Sequence, residues 1–146
     1  MKVNIESQVM RRKLRRQDWS RGQAFVEFAM AISGLLVLVL AITNFAMAIF
    51  AYNFVCYGAR DGTRYAAVRG ASSPSPVTSS DVRAYVISEA AGIDTGQLTV
   101  ATTWSPNNQP NSTVAVSVRY NFQFMVPFVA LSPVSLSSNS QLVISQ

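Results

Sequence analysis

Hydrophobic side chains follow two different rhythms along this chain, and the change falls near residue 70. No side chain is charged over residues 28–59, and the most apolar part, AMAISGLLVLVLAITNFAMAIFA (residues 29–51), is continuous rather than periodic. About 20 apolar residues cover a hydrocarbon core of roughly 30 Å, so this stretch can cross a membrane with a little to spare. No proline precedes Pro74, so nothing in the backbone breaks a helix between Gln23 and Arg69. At about 1.5 Å per residue that helix approaches roughly 70 Å and outruns a bilayer. The predicted element is one long helix over 23–69, with a transmembrane span at about 29–51.

After residue 69 the spacing becomes that of a small α+β domain over 70–146. GASSPSPVTSSD (residues 70–81), with two prolines and five serines, reads as a linker or loop. In DVRAYVISEAAG, Val82, Tyr85, Val86 and Ala90 share one helical face; Ser80 or Asp81 can cap the start and Gly92 can end it. Leu98, Val100, Thr102 and Trp104 then alternate, SPNNQPNS breaks the run, and alternation resumes from Val114 to Phe124 until Pro127. A weaker alternation follows from Val134 to Ile144. Such period-two runs predict three half-buried strands in an antiparallel meander, with the short helix on its apolar face. The free edges of such a sheet can accept partner strands.

Charge changes the picture only at the N-terminus. The formal charge is +5 and the isoelectric point about 9.9, values that in isolation suggest a nucleic-acid partner. All of the excess lies in residues 1–22, where seven cations face Glu6 and Asp18; the remaining chain carries five arginines and five acids. A basic head before an apolar span is an orientation signal, not a nucleic-acid surface. It predicts a cytoplasmic N-terminus and an outward C-terminal domain, and the arginine-rich run can also hold anionic lipid. The apolar stretch is longer than the h-region of a removable secretory signal and no A-x-A site follows it.

The residue inventory points away from an enzyme. With no histidine there is no imidazole base and no histidine metal ligand, and the single cysteine, Cys56, can make neither an intrachain disulfide nor a metal site alone. Cys56 is read as a packing residue or an intermolecular disulfide partner. No cofactor and no small-molecule substrate are expected.

The chemistry sits where charge stops, in Ser20-Arg21-Gly22-Gln23-Ala24-Phe25-Val26-Glu27-Phe28. Gly22 is a flexible, side-chain-free position that a protease can hold extended. Glu27 is a carboxylate at the threshold of an apolar span, where desolvation penalises its charge unless a cation meets it. Two readings stand for it: an interfacial carboxylate that snorkels to the headgroups, or one half of a charge pair.

This junction resembles the cleavage region of type IV prepilins. The resemblance implies that a prepilin peptidase cuts between Gly22 and Gln23 on the cytoplasmic side, making Glu27 the fifth mature residue. The new α-ammonium of Gln23 and the Glu27 carboxylate, at i and i+4, could then pair within one chain or between neighbours. After the span, Ala59-Arg60-Asp61-Gly62-Thr63-Arg64-Tyr65-Ala66-Ala67 resembles the AxREGARYAA-type stretch of TadE-like proteins, with Asp for Glu and Thr for Ala. GQAFVEFAMAISGLLVLVL is similar to that family's opening, with Ser33-Gly34 replacing the usual proline, and the closing strand, Pro-bounded apolar turn and strand fit as well.

The resemblance implies a minor pilin or pseudopilin that supports a Tad/Flp-type pilus. Its expected partners are the prepilin peptidase, other Tad pilins and pseudopilins, the inner-membrane assembly platform, and membrane lipid. The expected location is a bacterial inner membrane, single-pass, with the N-terminus cytoplasmic and the C-terminus periplasmic, or the pilus itself. Arg60, Asp61, Arg64 and Tyr65 are candidate subunit contacts, and pairing of Asp61 with Arg64 at i,i+3 is open to them. The competing class is an uncleaved, membrane-anchored protein whose outer domain binds an envelope component.

Overall fold

Among the described residues, two α-helices and three strands form the main regular structure, and their order follows the two rhythms of the sequence. The computed structural model describes residues 2–125 and 132–145. Helix α1 spans Lys2–Ala67 and helix α2 Ser79–Ser88; a 3-10 turn, Thr95–Gln97, leads into strands β1 (Leu98–Ser105), β2 (Thr113–Phe122) and β3 (Val134–Val143). The strands pair antiparallel in the order β1-β2-β3. This is the expected α+β arrangement. Pro127, expected to end the second strand, lies outside the described residues, and β2 stops at Phe122, short of the expected Phe124.

The helix begins earlier than the sequence pattern suggested. It takes in Gly22 and the basic segment back to Lys2. No proline interrupts it, and one interior glycine costs a helix only about 1 kcal/mol relative to alanine.

The chain divides into two units, 1–43 and 44–146. In the first, every side chain from Gly22 to Thr43 is exposed, including Phe25, Phe28, Met30, Leu35 and Leu36. A helix apolar on all sides is suited to lipid rather than water. The Gly22–Ala67 part of α1 is long and apolar enough to cross a membrane.

In the second unit α1 becomes one-sided. Ala51, Val55, Gly58, Ala59, Gly62, Thr63, Ala66 and Ala67 are buried, recurring at three- and four-residue steps as one helical face. Their core partners are Val82 and Val86 of α2, the inward-facing Leu98, Val114, Val116 and Val118 of the sheet, and Ile144. The register keeps the inner side chains in rows, with Trp104 opposite Val114 and Val100 opposite Val118. On β3, Ser138 and Ser140 stand opposite Val118 and Val116, which explains the weak alternation there. Fully burying each valine is worth about 1.5–3 kcal/mol.

Local caps complete the domain. Thr78, rather than Ser80 or Asp81, caps α2: its hydroxyl accepts from Asp81 N at 3.4 Å, and the Asp81 carboxylate accepts from Thr78 N at 2.8 Å. The backbone hydrogen bond from Thr78, then that from its hydroxyl, holds the Asp81 carboxyl below its ordinary range. The helix ends at Ser88, and Gly92 makes a left-handed turn (φ 73°) three residues after its C-cap, Glu89. The proline- and serine-rich stretch after α1 is a mostly exposed loop, anchored by the buried Gly70 and Val77. Ala71 N donates to Asn108 O at 2.7 Å, Ile144 N to Ser112 O at 2.8 Å, and Ser145 N to Ala67 O at 3.1 Å. The C-terminal strand is thereby tied to the end of α1.

Candidate processing and assembly sites

At the junction, Gly22, Gln23 and Glu27 all lie within α1 and are exposed. A Cβ built on Gly22 would meet nothing within 4 Å among the described residues, so no internal contact calls for glycine there. Gln23 and Glu27 are one helical turn apart, on the same face.

The Arg60–Tyr65 run divides by direction. Arg60 and Arg64 are exposed. Asp61 and Tyr65 instead meet α2: Tyr85 Oη donates to Asp61 Oδ2 at 2.5 Å, and the Tyr65 and Tyr85 rings stack at 4.2 Å with planes 9° apart. The Arg69 guanidinium lies 4.1 Å from the Tyr65 ring centroid, within cation–π range. The hydrogen bond to Asp61, partial burial and the nearby negative charge together push the Tyr85 phenol up to about 12. Asp61 therefore finds its partner on α2, and among the described residues it forms no ion pair with Arg64.

The small residues of this run set the distance between elements. A Cβ on Gly62 would lie 2.9 Å from Val86 Cγ2 and 3.4 Å from Val116 Cγ1, and one on Gly58 would lie 3.3 Å from Val86 Cγ1. Thr63 Oγ1 lies 2.6 Å from Ala59 O and 3.2 Å from Ser140 O. Its single proton is shared between its own helix and β3.

Residues 22–64 match the model of the family described as TadE-like protein. Over that segment the chain is similar to the TadE-like family. The match opens at Gly22 and closes at Arg64, so it takes in both the glycine–glutamate junction and the start of the Arg60–Tyr65 run. The family points to a pilin-like protein associated with a Tad pilus, a structural component rather than a known enzyme family, working with other components of that pilus. Compared with curated proteins and with solved structures, the chain finds no match.

In and around the matched segment, several working residues escape a reading of the sequence alone. Gly58 and Gly62 form a small-x3-small pair, a recognised signal for close helix approach, but their partner is α2 of the same chain. Elsewhere on α1 the small residue Ala51 is buried inside the domain, while Gly34 and Ala46 are exposed. Cys56 is a free, partly exposed thiol. Tyr85 and Arg69 complete the Asp61–Tyr65 cluster from positions that carry no motif.

Proposed function

We propose that this chain is a minor pilin or pseudopilin that supports biogenesis of a Tad/Flp-type pilus. It inserts with its basic leader in the cytoplasm and its α+β domain on the periplasmic side of a bacterial inner membrane. A prepilin peptidase hydrolyses the Gly22–Gln23 bond. Lateral packing of the exposed α1 surface then brings it together with other Tad pilins, at the inner-membrane assembly platform or in the fibre.

The observation that carries the reading is a coincidence at one residue. The family match begins at Gly22, the residue that follows Arg21, the last cation of the basic segment. Cleavage there removes the whole +5 and leaves balanced side-chain charge. It also creates an α-ammonium one helical turn before Glu27. Each charge alone is costly in lipid, and together they offset one another. Pairing between neighbours favours a single axial stagger, which gives Glu27 its assembly role. Because α1 is helical through Gly22, the peptidase must unwind about one turn, and glycine lowers the cost of doing so.

Intact mass with and without a co-expressed prepilin peptidase tests this. The expected product begins at Gln23, and Gly22→Ala blocks its formation. Retention of residues 1–22 in the native host would overturn the proposal. That outcome would favour the second reading, an uncleaved single-pass anchor whose outer domain binds an envelope component, to which the unbroken helix from Lys2 to Ala67 lends support.

A further inference from the structure

Between residues 28 and 52 the sole carboxamide is Asn44. The hydroxyls nearby are satisfied inside their own helix: Ser33 Oγ donates to Ala29 O at 2.7 Å and Thr43 Oγ1 to Val39 O at 2.9 Å. Asn44 instead reaches across to another part of the chain. Its Nδ2 donates to Met125 O at 3.1 Å and its Oδ1 accepts from Met125 N at 2.7 Å. Met125 lies three residues beyond the last laddered residue of β2, so among the described residues its backbone groups have no strand partner. The Asn44 amide takes the place that a neighbouring strand would fill.

The side chains next to this pair of hydrogen bonds along the chain are apolar and exposed. Asn44 is 7% exposed, but the side chains of Phe45 and Met125 are 68% and 69% exposed. No charged residue lies within 28–59, and none follows Arg119. In water, solvent would satisfy the Met125 backbone and an exposed methionine beside an exposed phenylalanine would bring no gain. In hydrocarbon, each unmet N–H or C=O costs several kcal/mol, and irregular backbone is tolerated only where protein satisfies it. A span of about 20 residues that starts at Phe28 ends near Met47, so Asn44 falls inside the acyl boundary.

We infer that the Met125 end of the sheet is immersed in the outer boundary of the bilayer, a second lipid contact beside α1, with Asn44 as the tether that satisfies its backbone. The occupant is lipid because Phe45, next to Asn44 in the chain, is an exposed apolar residue of the helix that is long and apolar enough to cross a membrane. This rests on the reading that α1 spans the membrane, and the test separates the two.

The full chain, in a Cys56→Ser background, is placed in phosphatidylcholine–phosphatidylglycerol nanodiscs. A nitroxide is attached in turn at Leu38→Cys, Met125→Cys and Ser117→Cys, the last on the outward face of β2. Accessibility to oxygen and to a water-soluble nickel chelate is read by EPR power saturation. Labels at 38 and 125 are expected to admit oxygen and exclude nickel several-fold more than the label at 117. Nickel access at 125 equal to that at 117, with 38 still lipid-exposed, overturns the inference and leaves the span standing. Nickel access at 38 overturns the span itself. Exclusion of both reagents at 125 would mean protein packs there, and the lipid assignment falls. Asn44→Leu should raise label mobility and nickel access at 125 several-fold while the spectrum at 117 stays unchanged; an unchanged spectrum at 125 removes the tether.

Discussion

The Tyr85 hydroxyl donates a 2.5 Å hydrogen bond to the Asp61 carboxylate, joining α2 to α1 outside the apolar core. The phenol is pushed up to about 12 from an ordinary value near 10. Folding therefore tightens the hold on this proton. The stabilisation is complete below about pH 10 and is lost as pH rises through about 12, when the phenolate forms beside a carboxylate. A phenolate absorbance titration of the wild type minus that of Tyr85→Phe isolates this residue. The expected difference curve has its midpoint near pH 12, and in an Asp61→Asn background it moves towards the ordinary value. A midpoint near 10 in the wild type would mean the bond is not maintained in solution.

Gly62 is required by contact rather than by conformation, since a Cβ there would stand 2.9 Å from Val86 Cγ2. Val86 is 1% exposed and cannot swing away. Overpacking of this kind costs about 1–3 kcal/mol, against about 1 kcal/mol gained from replacing glycine within a helix. Gly62→Ala should therefore be neutral to about 2 kcal/mol destabilising, with a smaller loss for Gly58→Ala. The sharper check is a double-mutant cycle. Val86→Ala should make Gly62→Ala less costly, and strict additivity in detergent unfolding measurements would refute the clash.

Thr63 stands where the resemblance to TadE-like stretches leads one to expect alanine, and its hydroxyl lies 3.2 Å from Ser140 O. Thr63→Val keeps the volume and removes the donor. The expected loss is about 1 kcal/mol, with faster amide exchange along β3 than along β1. Equal exchange on the two edges would mean that the bond does not hold β3 in place.

Legibility of the fold depended on how local each signal was. The strands are readable because Val114, Val116 and Val118 face one way and their neighbours the other, a pattern carried by the chain itself. The long helix is readable from composition and the missing proline. Asp61, Tyr65 and Gly62 stand out as a motif, yet their direction does not, because it depends on Tyr85 and Val86, at least 20 residues away. Asn44 gave no signal at all: an asparagine in an apolar helix acquires meaning only when Met125, far along the chain, presents its backbone to it. Thr78 does not stand out as the cap of α2 because Ser79, Ser80 and Asp81 offer the same chemistry, and only the register of the first turn selects among them.

Glu27 decides whether lateral assembly depends on charge. The carboxylate lies one turn from the proposed new N-terminus and is exposed, so its removal touches no internal contact of the described chain. Glu27→Ala should therefore leave insertion, head stability and peptidase cleavage close to wild type while strongly reducing co-isolation with other Tad pilins. Glu27→Gln separates two explanations. If the carboxylate only accepts hydrogen bonds, glutamine should retain most assembly; if it neutralises the α-ammonium of Gln23 in lipid, glutamine should fail almost as badly as alanine. Glu27→Asp keeps the charge but shortens the reach, so it should give an intermediate yield. Intact mass establishes processing for each variant, and cross-linking to co-expressed pilins measures assembly. Normal assembly of a fully processed Glu27→Gln chain would remove the charge-pairing mechanism and leave apolar packing of α1 to carry the association.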